Sequence, residues 1–188
     1  MSTQLANPAP LGLMGFGMTT VLLNIHNAGF FPMDSMILAM GMFYGGISQV
    51  IAGILCYKRG DTFGTTAFIS YGFFWLTLVA LTLMPKMGVA ASPAGFMGWY
   101  LLLWGLFTAG LFVGSLRYPR AKQIVFASLT ALFFLLAARD FSGSAVIGVI
   151  AGYVGIFCGL SAMYFSMAQI LNGEYGREIM PVGKPVFN

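Results

Sequence analysis

Residues 63–84 read FGTTAFISYGFFWLTLVALTLM, and no charged side chain interrupts them. A helix rises 1.5 Å per residue, so about 20 apolar residues cross the roughly 30 Å hydrocarbon core of a bilayer. This run is long enough to do so. In lipid every backbone N–H and C=O must be bonded within the segment, which makes a helix the conformation the run can adopt there. Asp61 and Thr62 stand at its start, where a side-chain oxygen can accept from the first free N–H groups of a helix.

Five further apolar runs flank this one, at 11–26, 35–56, 94–116, 124–138 and 145–170. Helix-start chemistry precedes them at Asp34-Ser35, Ser92-Pro93, Pro119 and Ser142 or Ser144. Runs 11–26 and 124–138 are short for a full crossing, so they are expected to extend into flanking residues or to sit where the bilayer is thinned or lined by protein. The whole chain is 59% hydrophobic and 7% charged, against about 25% charged residues in soluble domains. A water-soluble fold is excluded. Six helices nearly exhaust the 188 residues, so the expectation is an all-α integral membrane protein, one transmembrane domain over 1–188, with any site between helices or at their ends.

The formal charge is +4, but the cations cluster at helix ends rather than along one face, which argues against a nucleic-acid partner. With six crossings, Lys58, Arg59, Arg117, Arg120, Lys122, Arg177 and Lys184 share one side, and Lys86 and Arg139 the other. The positive-inside rule then places both termini in the cytoplasm of a bacterial inner membrane. The first cation, Lys58, lies beyond the first apolar run, so no cleavable signal peptide is expected. Cys56 and Cys158 lack partners at metal-ligand spacing and read as small buried hydrophobes.

All five acidic residues, Asp34, Asp61, Asp140, Glu174 and Glu178, fall in loops or the tail. A proton pump usually keeps an ionisable group inside the membrane, so that mechanism is disfavoured. The single histidine, His26, has no nucleophile or carboxylate set beside it; an enzyme, a metal centre and a cofactor are not indicated. Glycines recur four apart at Gly41/Gly45, Gly110/Gly114, Gly148/Gly152 and Gly155/Gly159, a spacing that lets helices pack backbone to backbone in lipid. Among the neutral polar residues within the runs, Thr20, Asn24 and Gln49 are the candidates to line a path, because hydroxyls and amides replace a solute's water without fixing a charge.

The segment Asn7-Pro8-Ala9-Pro10-Leu11-Gly12-Leu13 leads into the first run. Proline suits a helix start, and Asn7 can cap it. The local chemistry leaves two readings open: plain capping, or a helix N-terminus whose dipole and free N–H groups draw an anion without any lysine or arginine.

This segment resembles the signature of the acetate uptake transporter family. The similarity continues through Met14 to Thr20, Phe43-Tyr44-Gly45-Gly46 with Gln49, Thr62-Phe63-Gly64, Ser70-Tyr71-Gly72, Phe74-Trp75-Leu76-Thr77-Leu78 and Met84-Pro85-Lys86. The resemblance implies a homohexamer in which each subunit has its own path for acetate, with succinate as a second substrate. It also implies a hydrophobic constriction at Phe16, Tyr71 and Leu129, and an influence of Ala162 on substrate size. Two positions depart from the family pattern: Cys56 replaces a usual glutamate, and Asp61 a usual asparagine. The expected function is transport of small monocarboxylates, as a channel or with protons. A neutral-solute channel for urea-like molecules and a structural or sensory subunit are the rival readings.

Overall fold

Backbone signals, more than hydropathy, decide where the helices end. The computed structural model describes residues 5–187. Six helices succeed one another: α1 (Ala9–Asn27), α2 (Ser35–Lys58), α3 (Thr62–Leu83), α4 (Ala94–Ser115), α5 (Arg120–Ser142) and α6 (Ala145–Tyr175). Asp34 Oδ1 accepts from the Ile37 N–H at 3.2 Å and Asp61 Oδ1 from the Gly64 N–H at 2.8 Å. Ser144, rather than Ser142, caps α6. The expected cap at Ser92 is not used, and Pro93 itself precedes α4.

The run at 124–138 is the fragment of α5 that hydropathy detects. Its helix continues outward through Arg120 and Arg139, whose long stems stay apolar while their charged ends reach water. It stops at Gly143, in the left-handed conformation with φ 68°, as α6 stops at Gly176 with φ 61°. Among the described residues, five helices are long and apolar enough to span a membrane. The exception is the 19-residue α1, whose Thr19, Thr20 and Asn24 are buried against other helices.

α1 packs along α6 and α2, α2 on α3, and α6 on α5, which in turn packs on α4. Aromatic rings close the circle between α3 and α4: Phe74 stacks on Tyr100 at 5.9 Å, and Tyr71 lies 6.0 Å from Trp104. α1 and α6 meet backbone to backbone. A Cβ on Gly159 would lie 2.7 Å from the Gly17 carbonyl oxygen, and one on Gly17 2.8 Å from that of Gly159. Gly155 likewise admits the Asn24 side chain. Glycine spacing in these helices is thus packing geometry, although Gly110 faces open space.

The middle of α2, Met40–Ile47, is a π-helix. Its wider turns leave carbonyls able to accept from side chains. Gln49 Nε2 donates to Gly45 O at 2.6 Å, and Thr19 Oγ1 of α1 reaches Met40 O at 3.4 Å.

Candidate functional site

One cavity of about 370 Å³ opens at the end of the bundle where α1 begins and runs inward between the helices. Its lining includes Asn7 at the start of α1 and Phe16 at its inner end, nine residues apart, or about 13 Å along the helix axis. α5 contributes Lys122, Val125, Phe126 and Leu129, which recur on a single helical face, while α6 contributes Phe165 and Gln169.

Phe16, Tyr71 and Leu129, the residues expected to form a constriction, all line this cavity and are exposed by only 7%, 4% and 3%. Phe16 and Tyr71 lie 6.1 Å apart between ring centroids. The Tyr71 hydroxyl is turned away to Thr108 Oγ1 at 2.8 Å, and Thr108 donates to Trp104 O at 2.7 Å. Three further rings wedge the phenol in place besides Phe16: Trp104, Phe107 and Phe126, each within 6.4 Å. With its hydroxyl bonded behind it, Tyr71 offers the cavity mainly carbon, and so do its two neighbours. A naked carboxylate meeting this ring would lose water and gain no donor.

The entry motif is built differently from the expectation of free N–H groups. Pro8 and Pro10 have none, the Ala9 N–H donates to Asn7 Oδ1 at 3.2 Å, and the Leu11 and Gly12 N–H groups donate to Pro8 O. The first turn of α1 is therefore satisfied within itself, and Pro8 rather than Asn7 is its N-cap residue. Asn7 ties α1 to α6 instead, through Nδ2 to Gln169 Oε1 at 2.9 Å; Pro10 O accepts from Ser166 Oγ at 2.7 Å. Gly12 makes room for Phe68, whose ring would lie 2.5 Å from a Cβ there.

Of the other expected residues, Gln49 lines the cavity and is 1% exposed. Thr20 and Asn24 lie beyond the ring, on the next turns of α1. Asn24 Nδ2 donates to Thr20 O at 2.8 Å, whereas the buried Thr20 hydroxyl has no partner among the described residues. Ala162 is fully buried in the packed core and does not line the cavity; Phe165 and Gln169 do.

Lys122 and Asp61, read from sequence as an orienting charge and a loop carboxylate, both line this cavity. The Lys122 ammonium stands 3.3 Å over the Tyr118 ring and 3.8 Å over the Phe63 ring. The mouth of the cavity thus carries a cation, Lys122, beside the Asn7 segment. Asp61 shares the surroundings of Gly64 with Cys56, whose sulfur would lie 2.8 Å from a Cβ at that glycine. The two positions that depart from the family pattern are therefore neighbours in space. The segment after α6 completes the mouth: Val182 lines the cavity, and its carbonyl accepts the Ala121 N–H at 2.9 Å. Asn172 fastens that segment through the N–H groups of Ile179 and Met180 and the Met180 carbonyl. A helical-face count over 122, 125, 126 and 129 could have found Lys122; nothing local in the sequence marks Val182.

This architecture recurs in known proteins. The chain is 58% identical over 184 residues to the succinate-acetate/proton symporter SatP of Escherichia coli strain K12, an alignment covering 97% of this chain and 98% of that one. It is 33% identical to acetate permease A of Emericella nidulans, across 94% of this chain and 65% of the relative. A solved structure described as the bacterial acetate channel SatP superposes with a TM-score of 0.95 at 58% identity, covering 96% of this chain and all of the other. Residues 1–182 match the model of the GPR1/FUN34/yaaH family, and the chain belongs to that family.

Proposed function

We propose that this protein carries small monocarboxylates across a bacterial inner membrane, acetate foremost and succinate as a second substrate, along a path within each subunit of a homohexamer. The observation that carries the reading is the vestibule with a polar mouth and a dry end, closed by Phe16, Tyr71 and Leu129. The two close relatives named for acetate and succinate support the substrate class. A carboxylate sheds water in the vestibule against the amide N–H groups of Gln169, passes the ring as it opens, and meets Thr20 one turn further along α1. Thr20 is the next polar group with hydrogen-bonding capacity unspent among the described residues.

The cationic residues at the Asn7 end support an orientation with both termini in the cytoplasm, so the vestibule opens inward. The ring carries no ionisable side chain that exchanges a proton near neutral pH, so any proton that accompanies acetate travels on the carboxylate itself or with the groups of the mouth.

Flux of labelled acetate into proteoliposomes, set beside flux of labelled urea, tests the reading. Saturable acetate flux with little urea flux is expected; equal permeability to both would make the protein a neutral-solute channel. Imposing and then removing a pH gradient across the same vesicles separates proton-linked from passive movement.

Asn7→Ala is expected to lower acetate flux severalfold while costing about 1 kcal/mol of stability, the usual order for a lost hydrogen bond. The substitution removes both the Ala9 N–H acceptor and the tie to Gln169. A well-assembled variant with normal flux would make that tie purely structural.

A further inference from the structure

Most polar groups of the vestibule can be followed to their partners, and besides the Tyr118 hydroxyl the donors of Lys122 and Gln169 are left over. Asn7 is spent on Ala9 and Gln169, and Gln49 Nε2 on Gly45 O. Asn172 holds the segment after α6. Asp61 Oδ1 is occupied by the Gly64 N–H at 2.8 Å. Gln169 uses its oxygen to accept from Asn7, while its amide N–H groups have no partner among the described residues. Lys122 has neither an ion-pair partner within 4.0 Å nor a hydrogen-bond acceptor among those residues.

The two aromatic faces beside Lys122 attract its charge but satisfy none of the three directional N–H donors of an ammonium. The lysine is also misplaced by local rules. It lies in the first turn of α5, where the helix dipole opposes a cation. Residues that break a local preference concentrate at functional or strained sites, and of the two cations in this turn, Arg120 and Lys122, only Lys122 lines the cavity.

We propose that Lys122 is the carboxylate-binding group of the vestibule, taking the incoming anion with the unspent amide of Gln169 before it reaches the ring. This rests on the reading of the vestibule as the transport path. Asp61 lines the same cavity, spends Oδ1 on the cap of α3 and stands outside ion-pair distance of Lys122, so its charge acts on the lysine from a distance without occupying it. The ligand class is a small carboxylate, whose two oxygens match one ammonium donor and one amide donor.

The test uses the assembled protein and three probes. Lys122→Met is expected to raise the half-saturating acetate concentration for flux about tenfold or more, the usual effect of losing a charge-assisted hydrogen bond. Protein-dependent flux of acetamide, the neutral analogue, should stay as it was. Line broadening of 13C-acetate by the solubilised protein should be lost in Lys122→Met and regained in Lys122→Arg. Should Lys122→Met fail to assemble, Lys122→Gln carries the same expectations.

An assembled variant with unchanged half-saturation and unchanged broadening overturns the site and leaves the transport reading standing. Equal loss of acetate and acetamide flux also overturns it, by assigning Lys122 to packing. If the unmodified protein moves no acetate, the transport reading fails, and the broadening experiment decides the site alone: Lys122-dependent broadening supports it, and broadening absent or unaltered by the substitution overturns it.

Discussion

Truncating Leu129 to alanine raises the flux of lactate and succinate relative to acetate severalfold, measured per assembled oligomer. The side chain is 3% exposed and forms one side of the ring that ends the vestibule. A ring of large apolar groups sets both the width of the opening and the cost of wetting it, and a smaller residue relaxes both. Phe16→Ala should act in the same direction with a heavier loss of stability, about 3 to 5 kcal/mol, because the Phe16 ring also packs on Tyr71. Ordinary core truncation predicts something else: about 2 to 5 kcal/mol of destabilisation and less folded protein, with no change in preference among the molecules that survive. The ratio of the three acids therefore discriminates where absolute flux does not. Unchanged ratios in both variants, with normal assembly, would remove the ring from the path.

Gly159→Leu is expected to abolish assembly or to lower stability by about 3 kcal/mol or more. The obstruction is backbone: the first added carbon already meets the Gly17 carbonyl oxygen at 2.7 Å and the Val21 N at 2.8 Å. Helix α1 would have to move away from α6, carrying Phe16 and Asn7 with it. Gly173→Ala supplies the contrast on the same helix. That site is exposed and open, so exchanging a helical glycine for alanine there should stabilise by up to about 1 kcal/mol. Thermal unfolding of the two variants in detergent checks both signs; a tolerated Gly159→Leu would show that α1 and α6 can separate without loss.

The spans were readable because lipid imposes one rule on every segment, and 63–84 obeys it plainly. The ends were less so: α5 keeps its backbone bonds through Arg120 and Arg139, whereas hydropathy stops at the first charge. Phe16, Tyr71 and Leu129 carry no local mark that separates them from core residues, and resemblance to a family was what singled them out. The π-helix of Met40–Ile47 has no compositional signature either, yet it frees the carbonyl that holds Gln49. Asn7 lines the mouth of a cavity, but the first turn of α1 keeps its own N–H groups bonded. Prolines had removed the donors that the anion reading required. Lys122 reads from its charge as an orienting cation, and extending the helical spacing of Val125, Phe126 and Leu129 back by one turn puts it on their face, since α5 begins at Arg120.

The bond from the Ala121 N–H to the Val182 carbonyl ties the mouth of the vestibule to the order in which the chain is made. Val182 follows Ala121 by 61 positions (182 − 121), and at about 5 to 20 residues per second the ribosome needs roughly 3 to 12 s to supply it. During that interval α5 can already be in the membrane with its first turn uncapped. The vestibule rim is therefore a late product of biosynthesis.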